Sequence, residues 1–187
     1  VSVDINPSIE FVVDDDDVVE SYVFLNEDAA ILCSDLDFVG MNVDDAIELF
    51  VEAATAAGYI DPDGDDNAVL ITVLTDDEED ENQEVRTRIC ERIQKRLNTH
   101  FAKNYINSVV LTEEFTQEDL LAEAEALNVS PGKLKLAYAA MFTDETLVKE
   151  DLLDMPVKDI LAIIRESHSE AFGEYKEAQW TRLREMK

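Results

Sequence analysis

Asn6 and Pro7 stand side by side in this chain, a pair that opens a route to cutting the backbone between them. An asparagine ordinarily degrades when the next backbone nitrogen attacks its side-chain amide. Proline carries no backbone N–H, so that route is closed. The route left runs the other way. The Asn6 side-chain nitrogen attacks its own carbonyl carbon, closes a succinimide and expels the Pro7 nitrogen, cutting the backbone. A solvated Asn-Pro bond is stable, so the reaction needs a fold that presses the groups together. Pro7 is the leaving group, and strain at its tertiary amide costs less than at an ordinary peptide bond. Against this stands a plain role, in which Asn6 caps a turn and Pro7 stops a strand.

An amide is a poor nucleophile and needs help. Asp4 lies two residues back on the same strand face and can take a proton from the Asn6 amide as a general base. Its alternative is a solvent-facing strand position. Ser8 can donate to the developing oxyanion or the leaving nitrogen, or serve as an ordinary turn residue. Glu10 can assist from the next strand. Other chemistry is thinly represented. Cys33 and Cys90 lack metal-ligand spacing and read as buried free thiols. His100 and His168 have no partners at ligand or triad spacing, and five glycines form no phosphate loop. The loop D-P-D-G-D-D-N at 61–67 resembles a calcium loop, but its glycine falls too early and no glutamate closes it. A solvated turn is the simpler reading. No cofactor and no metal is expected, and any cleavage is one turnover per chain.

Asn6 falls within a run that reads as strands. Val1, Val3 and Ile5 alternate with Ser2, Asp4 and Asn6, the period of a half-buried strand. Ile9–Val13 predicts a second strand, Asp14–Asp17 a hairpin turn, and Val18–Leu25 the returning strand. Pro7 cannot donate to a ladder, which places it at a break between strands. Asn26 caps a short helix. Asn42 caps a longer one whose Val43, Ala46, Ile47, Phe50, Val51 and Ala54 share a face, ended by Gly58. Ala68–Leu74 reads as a central strand. Val85, Ile89, Ile93, Leu97 and Phe101 form a helical ladder, and Ile106–Leu111 a last strand. The arginines and lysines from Arg86 to Arg96 are expected to pair internally. From Thr116 onward the pattern is helical: a capping pair at Thr116 and Asp119, a start at Ser130-Pro131, another at Pro156, and a polar tail at 168–187. The fold class expected is α+β, an antiparallel sheet packed on helices (residues 1–115) followed by a helical subdomain and tail (116–187).

Charge narrows the partners. Lys+Arg total 15 against Asp+Glu 44, a formal net charge of −29 in 187 residues. Such a surface repels nucleic-acid phosphate and anionic lipid, so nucleic acid is not a partner. Hydrophobic residues at 46% suffice for a real core. No apolar run is long enough to span a bilayer, and no signal peptide is present. The chain starts without methionine, directly on a strand, and reads as a piece of something longer.

The placed elements resemble a known family. V-S-V-D-I-N-P-S-I-E followed by a hairpin and L-N-E-D-A is similar to the start of the extracytoplasmic domain of RsgI-type anti-sigma factors. Residues Gly40–Tyr59, the segment N-V-S-P-G-K-L-K-L-A at 128–137 and M-P-V-K-D-I at 155–160 resemble later segments of that family, in order. Pro156 stands where the family usually has serine. The resemblance implies a SEA-like domain that cuts itself at the Asn-Pro bond and keeps its N-terminal fragment by strand pairing. It implies a single-pass protein at the extracytoplasmic face of a bacterial membrane. The implied partners are a sigma factor held by a cytoplasmic domain outside this chain, site-specific and intramembrane proteases, and a C-terminal sensor module, often carbohydrate-binding. Two other readings stay open. One is a non-cleaving acidic interaction module of the same fold; the other is an acidic mimic of nucleic acid.

Overall fold

The computed structural model of the chain describes residues 1–75, 80–115 and 118–167. Its strands are β1 (Ser2–Asp4), β2 (Ser8–Val13), β3 (Val19–Phe24), β4 (Asn67–Leu74) and β5 (Ser108–Phe115). They form one sheet in the order β3-β2-β1-β4-β5. The shortest strand is therefore the central one. Ser2, Val3 and Asp4 pair antiparallel with Glu10, Ile9 and Ser8 on one side and with Thr72, Ile71 and Leu70 on the other. Val1 and Phe11 exchange backbone hydrogen bonds of 2.8 Å and extend the first ladder.

The class is α+β, as expected, but the sheet is mixed. β4 and β5 run parallel over Asn67–Leu74 and Ser108–Phe115, where an all-antiparallel sheet was expected. The reason is the connection between them. A parallel pair needs a long crossover, and the 24-residue helix α3 supplies it.

One face of the sheet is oily. Val3, Ile5, Ile9, Phe11, Val69, Ile71 and Val73 meet helices α2 (Val43–Ala56) and α3 (Asp80–Lys103). Those helices contribute Ile47, Phe50 and Val51 from α2 and Ile89, Ile93, Leu97 and Phe101 from α3. Asn42 caps α2 by accepting from Asp44 N at 3.0 Å, and Gly58, at φ 87°, follows its end. The cations of α3 pair inward. Arg92 reaches Asp17 of the aspartate turn at 2.7 Å and Asp44 at 2.8 Å; Arg96 reaches Asp45 at 2.5 Å and Glu48 at 2.6 Å. Cys33 and Cys90 are free and buried, and burial pushes both thiols up to about 11.

The second face is covered too, which alternation in β1 did not foretell. Ser2, Asp4 and Thr72 are each fully buried. The cover comes from helices α5 (Pro131–Thr143) and α6 (Lys149–Asp154) and from the helix over residues 157–167. Together with α4 (Glu118–Leu127) they share a cluster of their own, built on Ala124, Leu134, Ala137, Leu152 and Ile160. Val157 joins Ala68 and Leu70 of β4. Ser130 caps α5 with Pro131 first in the helix, as the sequence predicts. The six-residue α6 was not anticipated, since only Leu152 and Leu153 mark it. The capping partner Thr116 and the tail at 168–187 lie outside the described residues. At the loop 61–67, the Asn67 amide donates to Asp61 O at 2.7 Å and Asn107 O at 2.9 Å, tying an acidic turn together. No helix among the described residues is long and apolar enough to cross a membrane.

Candidate functional site

β1 and β2 are joined by a very short link. Asp4 pairs with Ser8, and Ile5 N–H donates to Pro7 O at 2.9 Å. Asn6 alone stands at the apex. Its φ is 95°, a region that costs a non-glycine residue about 1–3 kcal/mol. The matching bond back to Ile5 O would need an N–H at residue 7, which proline lacks. Val157 N–H takes that carbonyl instead, at 3.1 Å. The turn is thus docked on the junction between α6 and the helix that follows.

The Asn6 amide is held at both ends. Its Oδ1 accepts from Asn26 Nδ2 at 2.7 Å, and its Nδ2 donates to Asp154 O at 3.2 Å. Asn26 is the cap of α1 (Glu27–Leu32), accepting from Ala29 N at 3.1 Å. Asn26 Oδ1 also accepts from Ser8 N at 3.1 Å. Asp154 closes α6, and its carbonyl lies in the unpaired last turn of that helix.

Asp4 sits beneath this turn. Ser130 Oγ donates to Asp4 Oδ2 in a short bond, and Ser130 Oγ accepts from Lys133 N at 3.0 Å. Lys133 is itself 3% exposed. Burial pushes the Asp4 carboxyl above the usual carboxylate range; Ser130, Lys133 and Ser8 draw it back. The same burial pushes the Lys133 ammonium below its ordinary value, against the pull of Asp4 and Asp154. Ser8 faces Asp4 across the ladder, although Ser8 Oγ and Asp4 Oδ1 complete no hydrogen bond among the described residues. Asp4, Ser8 and Lys133 line a cleft of about 510 Å³, with Asn6, Asn26 and Asp154 on its walls. A buried carboxylate holds protons more tightly than one in water. The cleft therefore sets the clamped Asn6 amide near a buried carboxyl, with Pro7 next in the chain.

The structure brings Asp4, Asn6 and Ser8 to one cleft with Pro7 beside it. It corrects the solvent-facing alternative for Asp4, which is buried because α5 covers that face. Glu10 pairs with Ser2, away from the cleft wall. Sequence reasoning missed Lys133 and Asp154, and saw Ser130 and Asn26 only as caps. The signal for Ser130 and Lys133 was available in S-P-G-K-L, while Asp154 stands just before M-P-V-K-D-I, whose Val157 meets the turn. Among the described residues, three side chains are grouped as metal ligands would be: Glu48, Glu52 and His100. There Glu48 is already engaged by Arg96 at 2.6 Å and His100 at 2.9 Å.

Residues 1–138 match the anti-sigma factor RsgI-like central domain. The chain is 27% identical over 166 residues to Anti-sigma-I factor RsgI7 of Acetivibrio thermocellus, covering 89% of this chain and 29% of that protein. It is 25% identical over 162 residues to Anti-sigma-I factor RsgI4 of the same organism, covering 86% and 30%. Against Anti-sigma-I factor RsgI5 of that organism it is 30% identical over 87 residues, covering 46% and 18%. The chain thus spans less than a third of the length of these curated relatives.

Proposed function

The chain belongs to the RsgI-like central-domain family of anti-sigma factors, and from that premise we propose that it is the self-cleaving, extracytoplasmic part of a transmembrane member. The single observation carrying this reading is Asn6 at the apex between two paired strands, with its amide clamped and Pro7 next in line. Asn6 Nδ2 attacks the Asn6 carbonyl carbon. Asp4 takes one amide proton as the C–N bond forms. The tetrahedral adduct collapses, the bond to the Pro7 nitrogen breaks, and that nitrogen leaves with the proton returned from Asp4. The products are a peptide ending in a succinimide and a chain beginning with the Pro7 secondary amine. Ser8 donates to the developing charge. Nothing beyond the chain itself is consumed.

The fragment Val1–Asn6 then stays by two ladders and by burial of Val3 and Ile5. Each such side chain contributes roughly 1.5–3 kcal/mol. At rest the pair persists. Under pull from a C-terminal sensor module the outer fragment departs, site-specific and intramembrane proteases act on the remnant, and the sigma factor held on the cytoplasmic side is freed.

Mass spectrometry of the unfolded protein tests the cut. The expected result is a species beginning at Pro7 together with the peptide ending at Asn6, and one intact mass for Asn6→Ala. Well-folded, aged wild type that gives a single intact mass overturns the proposal and returns the chain to a non-cleaving acidic interaction module.

A further inference from the structure

The amide of Asn26 does more than end a helix. Its Oδ1 accepts from two backbone donors, Ser8 N and Ala29 N, each at 3.1 Å. Backbone N–H groups cannot be turned around, so they fix which end of the Asn26 amide is oxygen. Its NH2 must then face Asn6, and it donates to Asn6 Oδ1 at 2.7 Å. Asn6 in turn must present its nitrogen to the other side, where it finds Asp154 O at 3.2 Å. The orientation of the nucleophile is thereby set by a chain of forced choices that begins in the backbone of α1.

We infer that Asn26 is a positioning residue for self-cleavage, orienting the Asn6 amide and, by donating to Asn6 Oδ1, easing loss of a proton from its nitrogen as that nitrogen attacks. An amide nitrogen is weak because its lone pair is shared with the carbonyl. As a base removes one N–H proton, negative charge gathers on the amide oxygen. A donor already aimed at that oxygen stabilises the charge without reorganisation. Asp154 O holds the second N–H and keeps the nitrogen from turning away. The inference rests on the self-cleavage reading.

Asn26→Asp separates this role from capping. Aspartate has the same shape, still accepts from Ser8 N and Ala29 N, and suits a helix N-terminus. Ionised, it has no proton to give Asn6 Oδ1. The expected rate of cut-chain formation after refolding falls roughly 100-fold at neutral pH. Protonated, the new carboxyl donates again, so the ratio of N26D to wild-type rate should climb as pH drops through the carboxylate range, about 4. Asp4 from β1, Glu27 and Asp28 from α1, Lys133 from α5, and Glu150 and Asp154 from α6 also line the cleft. They are common to both proteins, so the ratio reports residue 26. Urea unfolding of N6A/N26D beside N6A tests whether the cap survives. If N26D does not fold, Asn26→Ser, which caps but carries no amine, is used with the same expected loss. Equal rates for N26D and wild type at every pH overturn the inference alone, as does a wild-type rate in N26S. A loss with no recovery at low pH assigns Asn26 to capping only and also overturns it. A wild type that never cuts removes the reading beneath it instead.

Discussion

Asp4 carries a carboxyl where water cannot reach, under a turn that strains Asn6. Its raised pKa fixes the sign of a pH effect. The folded value lies above the unfolded one, so the folded state binds the proton more tightly. The stabilisation is complete below the unfolded value of about 4 and is lost as pH rises through the folded value. In the uncut N6A background, the urea midpoint of N6A should therefore gain on that of D4N/N6A as pH falls from neutrality. Lys133 and Glu10, which act on Asp4, are the same in both. A gap that moves the other way refutes the buried-acid picture. On the proposed reading Asp4→Asn also slows cutting, by about 100-fold if the carboxylate is the base. The residue scale was partly legible in sequence, because Asn-Pro states its chemistry in two letters. The burial of Asp4 was not, since Ser2 and Asp4 read as an outward face and nothing local says that a helix 126 residues later will cover it.

At the scale of elements, α5 is seated by a residue with no side chain. A Cβ on Gly132 would lie 2.0 Å from Thr72 Oγ1, 3.3 Å from Thr72 Cβ and 3.4 Å from Leu70 Cδ2. Gly132→Ala should therefore push α5 off β4 and lower stability by about 1–3 kcal/mol, even though alanine favours helix. Thr72→Ala removes the nearest atom, so the double variant should recover much of the loss. Urea unfolding of the four proteins in the N6A background checks this, and no coupling between the two sites rejects it. The elements were largely visible beforehand. Caps at Asn26, Asn42 and Ser130, the face of α2 and the ladder of α3 all follow local rules that tertiary contacts did not override. The parallel β4–β5 pair was misread because a run such as Ala68–Leu74, apolar at every position but Thr72, carries no sign of strand direction. The site itself needs α1, α5, α6 and β1 to meet, and periodicity has no term for meeting.

For the molecule as a whole, the position of β1 governs what a cut would mean. A severed edge strand peels away one rung at a time. β1 is flanked by β2 and β4 with both faces covered, so its ladders must give way together. Once released in urea, however, the fragment is a separate solute. Recovery of cut wild type on dilution should rise with protein concentration, whereas recovery of N6A should not, because its strand stays tethered. Concentration-independent recovery of demonstrably cut protein contradicts the pairing. What the departing strand leaves behind is a slot. β2 and β4 both run antiparallel to β1 and hence parallel to each other, each with a bare row of amides and carbonyls facing the gap. Closing it would drag two helix-covered halves of the sheet together out of register. On the proposed reading such a device behaves as a fuse: its bond breaks once, and the slot refills only if a separate strand returns to it.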